Sequence, residues 1–386
     1  MPRPVLKTPL CDLLDIEYPV ILAGMGGGDG FARAELVAAV SDAGGIGVIG
    51  AAGFTPDEIH EECEKVRGWT KKPFGVDILL PAGTQTFPGS GDGGATDGNP
   101  LDRLAPEYRE WAEGVIERLG LEQPEPAPET ARTREAAKYT AQERQDRQVE
   151  AIIQEKVKLL AAGLGSPAPY VERLHAAGIV VLGIVGNVRQ AVRVKMGGAD
   201  IVVAQGHEAG GHTGRIGGLA LTPQVVDAIA PTPVVVAGGI GDGRGLAAAL
   251  ALGAQGVWVG TAFLATLEAN VTPENKQRFI DIGEDDTRVT RLFSGKTLRH
   301  PNTPLVEDWE SANLRALPMG VQGVVSNHVQ LAAKRSGRGE LIYQPAGQIV
   351  GMVKEIRPAA VVLEDMVRGA AEVITGLQKQ EIRVEV

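Results

Sequence analysis

The chain has 386 residues, 44% of them hydrophobic and 22% charged, a balance that suits a globular protein with room for one large barrel plus additions. A formal net charge of −10 argues against nucleic acid or an anionic membrane as the main partner, and no apolar run reaches the roughly 18 residues of a membrane-spanning helix. The opening MPRPVLKTPL lacks the apolar stretch of a signal peptide, and Cys11 and Cys63 are too few for a disulfide framework, so a cytoplasmic protein with two free structural thiols is expected.

From the N-terminus the pattern alternates. Residues 19–22 form a short apolar run ending in the glycine cluster 24–30. Residues 32–43 have helical spacing and stop at Gly44-Gly45; 46–49 are β-branched; Thr55-Pro56-Asp57-Glu58 is a capped helix start with proline at the first helical position. A third strand spans 74–80 and is closed by Pro81. Residues 82–148 then break the pattern with Gly/Ser/Asp-rich sequence, a helix near 106–119, a proline-spaced acidic stretch at 122–129 and a charged helix-prone run. Few of these residues look able to form a core. The segment reads as a solvated insertion in a surface loop, with a lid or subunit contact as the sharper alternative.

The alternation resumes with strands at 158–162, 179–184, 201–204, 233–237 and 256–259, and helices at 169–177, 188–196, 223–230 and 243–252. Eight strands with helices between them give an α/β fold, a (β/α)8 barrel over residues 1–271 with the 82–148 insertion after strand three. An open doubly wound sheet is the alternative, but it wants a dinucleotide fingerprint, and from Gly24, Gly26, Gly239 or Gly241 the sixth position of G-x-G-x-x-G is not glycine. Residues 272–344 read as a smaller, mainly helical domain over the barrel mouth, and 345–386 as a C-terminal helix returning to the barrel.

In such a barrel, functional groups collect where strands end, and the loops after strands seven and eight commonly bind phosphate. Those loops are Gly238-Gly239-Ile240-Gly241-Asp242-Gly243 and Gly260-Thr261. Glycine lets the backbone approach an anion, and the amides that open the next helix point at it. Gly24, Met25 and Gly26 follow strand one and suit the edge of a flat ring. His212, flanked by Gly210, Gly211 and Gly214, has space for a substrate against a neutral imidazole able to act as base. His207-Glu208 with His212 has the spacing H-E-x-x-x-H, one residue too long for a zinc helix and broken by glycine, so no metal is expected. His60, His175, His300 and His328 read as surface or structural.

The run Glu208-Ala209-Gly210-Gly211-His212-Thr213-Gly214, with Gly238-Gly239-Ile240, Gly260-Thr261-Ala262-Phe263-Leu264 and the late Ala346-Gly347-Gln348, resembles the nitronate monooxygenase (2-nitropropane dioxygenase-like) family. The resemblance implies a TIM barrel with non-covalent FMN, no metal, and His212 as catalytic base toward a small nitroalkane or nitronate, with O2 as co-substrate. By position, Gly238, Gly239, Gly260 and Thr261 would hold the phosphate, and Gly24, Met25 and Gly26 the isoalloxazine. Asp77, Gln205, Gly206 and Gly211 would complete the cofactor site. Asp77 stands where many relatives have an amide, and its charge is expected to oppose negative charge on the reduced ring; Ile184 stands where some have lysine. An FMN-dependent NAD(P)H reductase of enoyl thioesters or quinones shares this framework and is the alternative, a non-catalytic flavin-binding barrel a third reading. A nucleotide dehydrogenase barrel with a loop cysteine is discarded, since Cys11 and Cys63 are wrongly placed. A homodimer stays open.

Overall fold

Strands that are apolar on both faces have to be covered on both faces, and here they do so by closing on themselves. The computed structural model describes residues 5–26, 30–81, 100–125 and 130–377. Its strands are β1 (Val20–Leu22), β2 (Gly47–Gly50), β3 (Phe74–Leu79), β4 (Leu159–Gly163), β5 (Val180–Val185), β6 (Ile201–Gln205), β7 (Gly211–His212), β8 (Val234–Ala237), β9 (Gly256–Val259), β10 (Thr287–Thr290) and β11 (Leu298–Pro301). Eight of them pair in parallel in the order β1-β9-β8-β6-β5-β4-β3-β2. A parallel bridge from Ile21 to Ile46 joins the two ends, which makes the (β/α)8 barrel the sequence predicts.

Alternation along each strand separates two cores. Ile21, Val48, Leu159, Ala161, Leu182, Val203, Val235 and Trp258 fill the interior, while Val20, Leu22, Val76, Ile78, Leu160, Val181, Val202, Val236 and Val257 pack outward under the helices. The bottom is plugged by a helix the sequence reading did not foresee, Pro9–Leu14. It sends Leu10, Cys11 and Leu14 into the interior core and anchors Thr8 Oγ1 on the Gln255 carbonyl at 2.6 Å. Both cysteines are buried and free, and burial pushes the Cys63 thiol up to about 12.

The 82–148 segment differs from its sequence reading. Residues 82–99 and 126–129 lie outside the described residues, but the rest is not a solvated loop. Helix Pro106–Arg118 buries Tyr108, Trp111, Ala112, Val115 and Ile116 at helical spacing. They share a second core with Leu305, Trp309, Val325 and Val329 from beyond the barrel. Trp111 meets Trp309 edge-on at 5.0 Å and donates Nε1–H to Asp308 Oδ1 at 2.9 Å. The charged outer face of this helix hid its inner one. The boundary at 148 also moves: helix Ala141–Glu155 packs Val149, Ala151 and Ile152 on the outer barrel core and so belongs to the barrel. The helical region after 271 also contains the β10–β11 hairpin, which adds β7 to form a three-stranded antiparallel sheet. This sheet fastens the second core to the barrel mouth. Among the described residues no helix is long and apolar enough to cross a membrane.

Candidate active site

Inward-facing positions at the C-terminal ends of the strands open into one cavity of about 1920 Å³, roofed by the second core. Pockets for a single small ligand run to about 300–1,000 Å³, so there is space for a cofactor and a substrate together. Of the residues the sequence singles out, Gly24, Met25, Gly26, Asp77, Gln205, Gly211, His212, Gly238, Gly239, Gly260 and Thr261 line it, as does Ile184.

Gly206 does not, and its expected cofactor contact is withdrawn. It is buried behind the mouth, where a Cβ would stand 2.5 Å from both carboxylate oxygens of Glu208. That carboxylate instead accepts Gly218 N–H at 2.9 Å, at the start of helix Gly218–Ile229. The far end of the Gly238–Gly243 loop also departs from expectation. Asp242 caps helix Gly243–Ala251 itself, accepting Arg244 N–H at 2.9 Å, and a Cβ on Gly243 would lie 2.3 Å from Ala370 N. Gly243 therefore packs on the C-terminal helix Ala359–Gly376, and Gly241, Asp242 and Gly243 do not line the cavity.

What remains is still an anion cradle. Gly238 (φ +85°) and Gly239 (φ +74°) take a left-handed backbone that glycine alone adopts cheaply. Among the described residues the amides of Gly239, Ile240 and Gly260 have no protein acceptor. Thr261 Oγ1 accepts Gly347 N–H at 2.9 Å, which ties the Ala346-Gly347 strap to the cradle and leaves the hydroxyl hydrogen free. On the opposite wall the β1 loop runs against Asp77: a Cβ on Gly24 would lie 2.1 Å from Asp77 Cβ. Asp77 is 8% exposed, and its buried Oδ1 has no hydrogen-bond partner. Burial pushes its carboxyl well above the usual range. Burial thus works against the negative charge expected beside the ring.

His212 sits on β7, paired with Leu298 of β11, and its carbonyl accepts Gln205 Nε2–H at 2.9 Å. Its Nε2 is 2.8 Å from Ser294 Oγ. The Ser294 hydrogen has one other acceptor nearby, Lys296 O at 3.5 Å, so the better bond has Ser294 donating to Nε2. Burial, and then the Lys296 charge, lower the His212 pKa to about 4, which leaves the ring neutral at physiological pH. Ser294 and Lys296 escaped the sequence reading because nothing before folding puts residue 294 beside 212. The remaining histidines are structural where their bonds are seen: His300, fully buried, accepts Gln344 N–H at 2.8 Å. No group of metal-binding side chains occurs among the described residues.

A model of the nitronate monooxygenase family matches residues 7–92 and 105–369. The chain belongs to the nitronate monooxygenase family. It is 35% identical to a protein of Mycobacterium tuberculosis (strain ATCC 25618 / H37Rv) named as a monooxygenase, over 97% of this chain and 99% of that one. A protein of Staphylococcus haemolyticus (strain JCSC1435) named as a nitronate monooxygenase is 34% identical over 88% of this chain and 90% of its own. Among solved structures, nitroalkane oxidase from Streptomyces ansochromogenes is similar with a TM-score of 0.77 and 30% identity, covering 96% of this chain and 100% of that one. FabK from Thermotoga maritima is similar with a TM-score of 0.74 and 30% identity over 97% and 99%. The chain is thus an oxidoreductase on a TIM barrel, like these nitronate monooxygenase relatives.

Proposed function

We propose that the chain is an FMN-dependent nitronate monooxygenase that oxidises alkyl nitronates, and neutral nitroalkanes more slowly, with O2 to carbonyl compounds and nitrite or nitrate. The observation that carries this reading is a neutral, weakly basic His212 beside the Lys296 cation, facing a cavity with an anion cradle on its opposite side. The residues fit the cofactor: the unpaired amides of Gly239, Ile240 and Gly260 suit a phosphate, and the unpartnered Asp77 Oδ1 suits a polar edge of a ring. FMN bound there would supply the electron-accepting ring and the reactivity toward O2.

The chain's own residues do the rest. Gly239, Ile240, Gly260 and Thr261 would hold the phosphate. Gly24 and Gly26 would let the β1 loop approach the ring, and Gln205 fixes the His212 backbone. A nitroalkane entering the cavity displaces the Ser294 hydroxyl from Nε2. His212 then takes the α-proton at that nitrogen while the Ser294 hydrogen turns to the Lys296 carbonyl. A base whose pKa is about 4 holds a proton poorly at neutral pH, and general-base efficiency peaks when the pKa is near the working pH. The Lys296 ammonium favours an anion. Both features suit a substrate that arrives already deprotonated.

Oxygen uptake and nitrite release with a preformed nitronate, compared with its parent nitroalkane, test this reading. Faster turnover of the nitronate is expected; no uptake with either would remove it. The rival, an NAD(P)H-dependent reductase on the same barrel, would instead oxidise NADH rapidly with an enoyl thioester or quinone present and leave nitronates untouched.

A further inference from the structure

Asp77 is an inward position of β3, between the outward-packed Val76 and Ile78, at the strand end that opens on the cavity. Its nearest neighbours bring no charge: Gly24 of the β1 loop, Gly50 and Ala51 at the end of β2, and Ala161 of β4. A buried acidic side chain elsewhere in the chain has the partners that Asp77 lacks. Glu62, 3% exposed, accepts Ala34 N–H at 3.2 Å and pairs with Lys65 at 2.9 Å and Arg33 at 3.3 Å. Asp77 Oδ1 has none of this. An unpaired carboxylate removed from water is costly enough that the group takes up a proton instead.

We propose that Asp77 is a neutral carboxylic acid whose hydroxyl donates a hydrogen bond to a polar atom of the isoalloxazine, so that retention of the cofactor weakens as this acid ionises. The inference rests on the FMN reading above and adds to it the direction of one hydrogen bond and its pH dependence. A neutral donor stabilises an electron-rich ring, where a carboxylate would repel it. Burial is what raises the Asp77 carboxyl, and no side chain of the cavity wall is hydrogen-bonded to its Oδ1.

The test is FMN affinity of the full chain, stripped of cofactor, measured by fluorescence quenching from pH 6 to 9 for the parent and for Asp77→Asn, whose amide keeps a donor at all pH. The two proteins share the titrations of FMN itself, so their difference reports Asp77. The parent's Kd should rise by up to about tenfold per pH unit above the ionisation of the acid, while that of Asp77→Asn follows only the free cofactor. Parallel pH profiles, or release of FMN by Asp77→Asn at a pH where the parent holds it, would overturn the proposal. A second readout needs no cofactor. A carboxyl whose pKa is raised on folding loses its stabilising proton as pH rises, so the stripped parent should become easier to unfold in urea across the same range while Asp77→Asn does not. If that stability difference appears but FMN binds to neither protein, the acid is neutral, the cofactor reading has failed and the proposed hydrogen bond falls with it; if FMN binds and both differences are absent, only this proposal has failed.

Discussion

His212 Nε2 and Ser294 Oγ lie 2.8 Å apart, although 82 residues separate them in the chain, and what joins them is the pairing of a two-residue strand, β7, with β11. The imidazole is therefore held from the second-core side, while Gln205 of the barrel holds its backbone. Ser294→Ala should leave FMN binding unchanged, because the cradle lies in the barrel. It should lower kcat/KM on neutral nitroalkanes by roughly 10-fold, because the ring is no longer held in place before the substrate arrives. Equal kcat/KM in parent and variant, with unchanged pH profile, would separate Ser294 from the base.

Replacing the imidazole itself should discriminate the two substrate forms. His212→Asn is expected to slow nitroalkane turnover by roughly 10²–10⁴-fold, and to slow preformed nitronates much less because they have no α-proton to lose. Steady-state oxygen consumption with both forms of one compound measures this directly.

Lys296 stands on the same turn as Ser294, and its charge lowers the proton affinity of His212. Lys296→Gln should raise KM for nitronates by roughly 5–50-fold, as loss of one partly solvated charge pair would, with a much smaller change for neutral nitroalkanes. The acid limb of the pH–rate profile should also move up, since a repelling cation has gone.

Acid should destabilise the fold through two imidazoles. His212 and His300 both have their pKa lowered to about 4, chiefly by burial, against about 6.5 when unfolded. Between those values the unfolded chain binds more protons than the folded one, so stability rises with pH across the window and is lost as pH falls toward 4. Urea midpoints measured from pH 4 to 7 should show this slope, and His300→Gln should reduce it if the fold is retained.

The second core carries the sharpest departure from the sequence reading. Trp111→Ala should cost about 3–5 kcal/mol in that core, because Trp111 is 6% exposed and packed on Trp309. A residue in a solvated loop would cost less than about 0.5 kcal/mol. Denaturant unfolding decides between the two.

The barrel was readable because parallel strands covered on both faces are near-continuous β-branched runs, as in 201–204 and 234–237, and because glycine and proline mark their ends. His212 is legible as a glycine-flanked loop position at a strand end, whereas Asp77 and Gln205 come from the family resemblance alone. Besides the Pro9–Leu14 helix and the Ser294 contact, three further features were not readable. The inner face of helix Pro106–Arg118 is diluted by its own Glu and Arg residues, so composition alone concealed Tyr108, Trp111 and Val115. Gly206 and Gly243 carry the same residue type as the cavity glycines, yet one makes room for Glu208 and the other for Ala370; only the fold separates these uses. Pro223 suggested the first turn of its helix, which in fact starts at Gly218.

The measurement that bears most directly on the account is the visible spectrum of the purified protein, reconstituted with FMN and mixed without oxygen with the anion of 2-nitropropane. The account predicts flavin absorption bands that bleach rapidly with the nitronate and slowly or not at all with NADH. A protein that stays colourless after excess FMN, or whose bands bleach with NADH and ignore the nitronate, would contradict it.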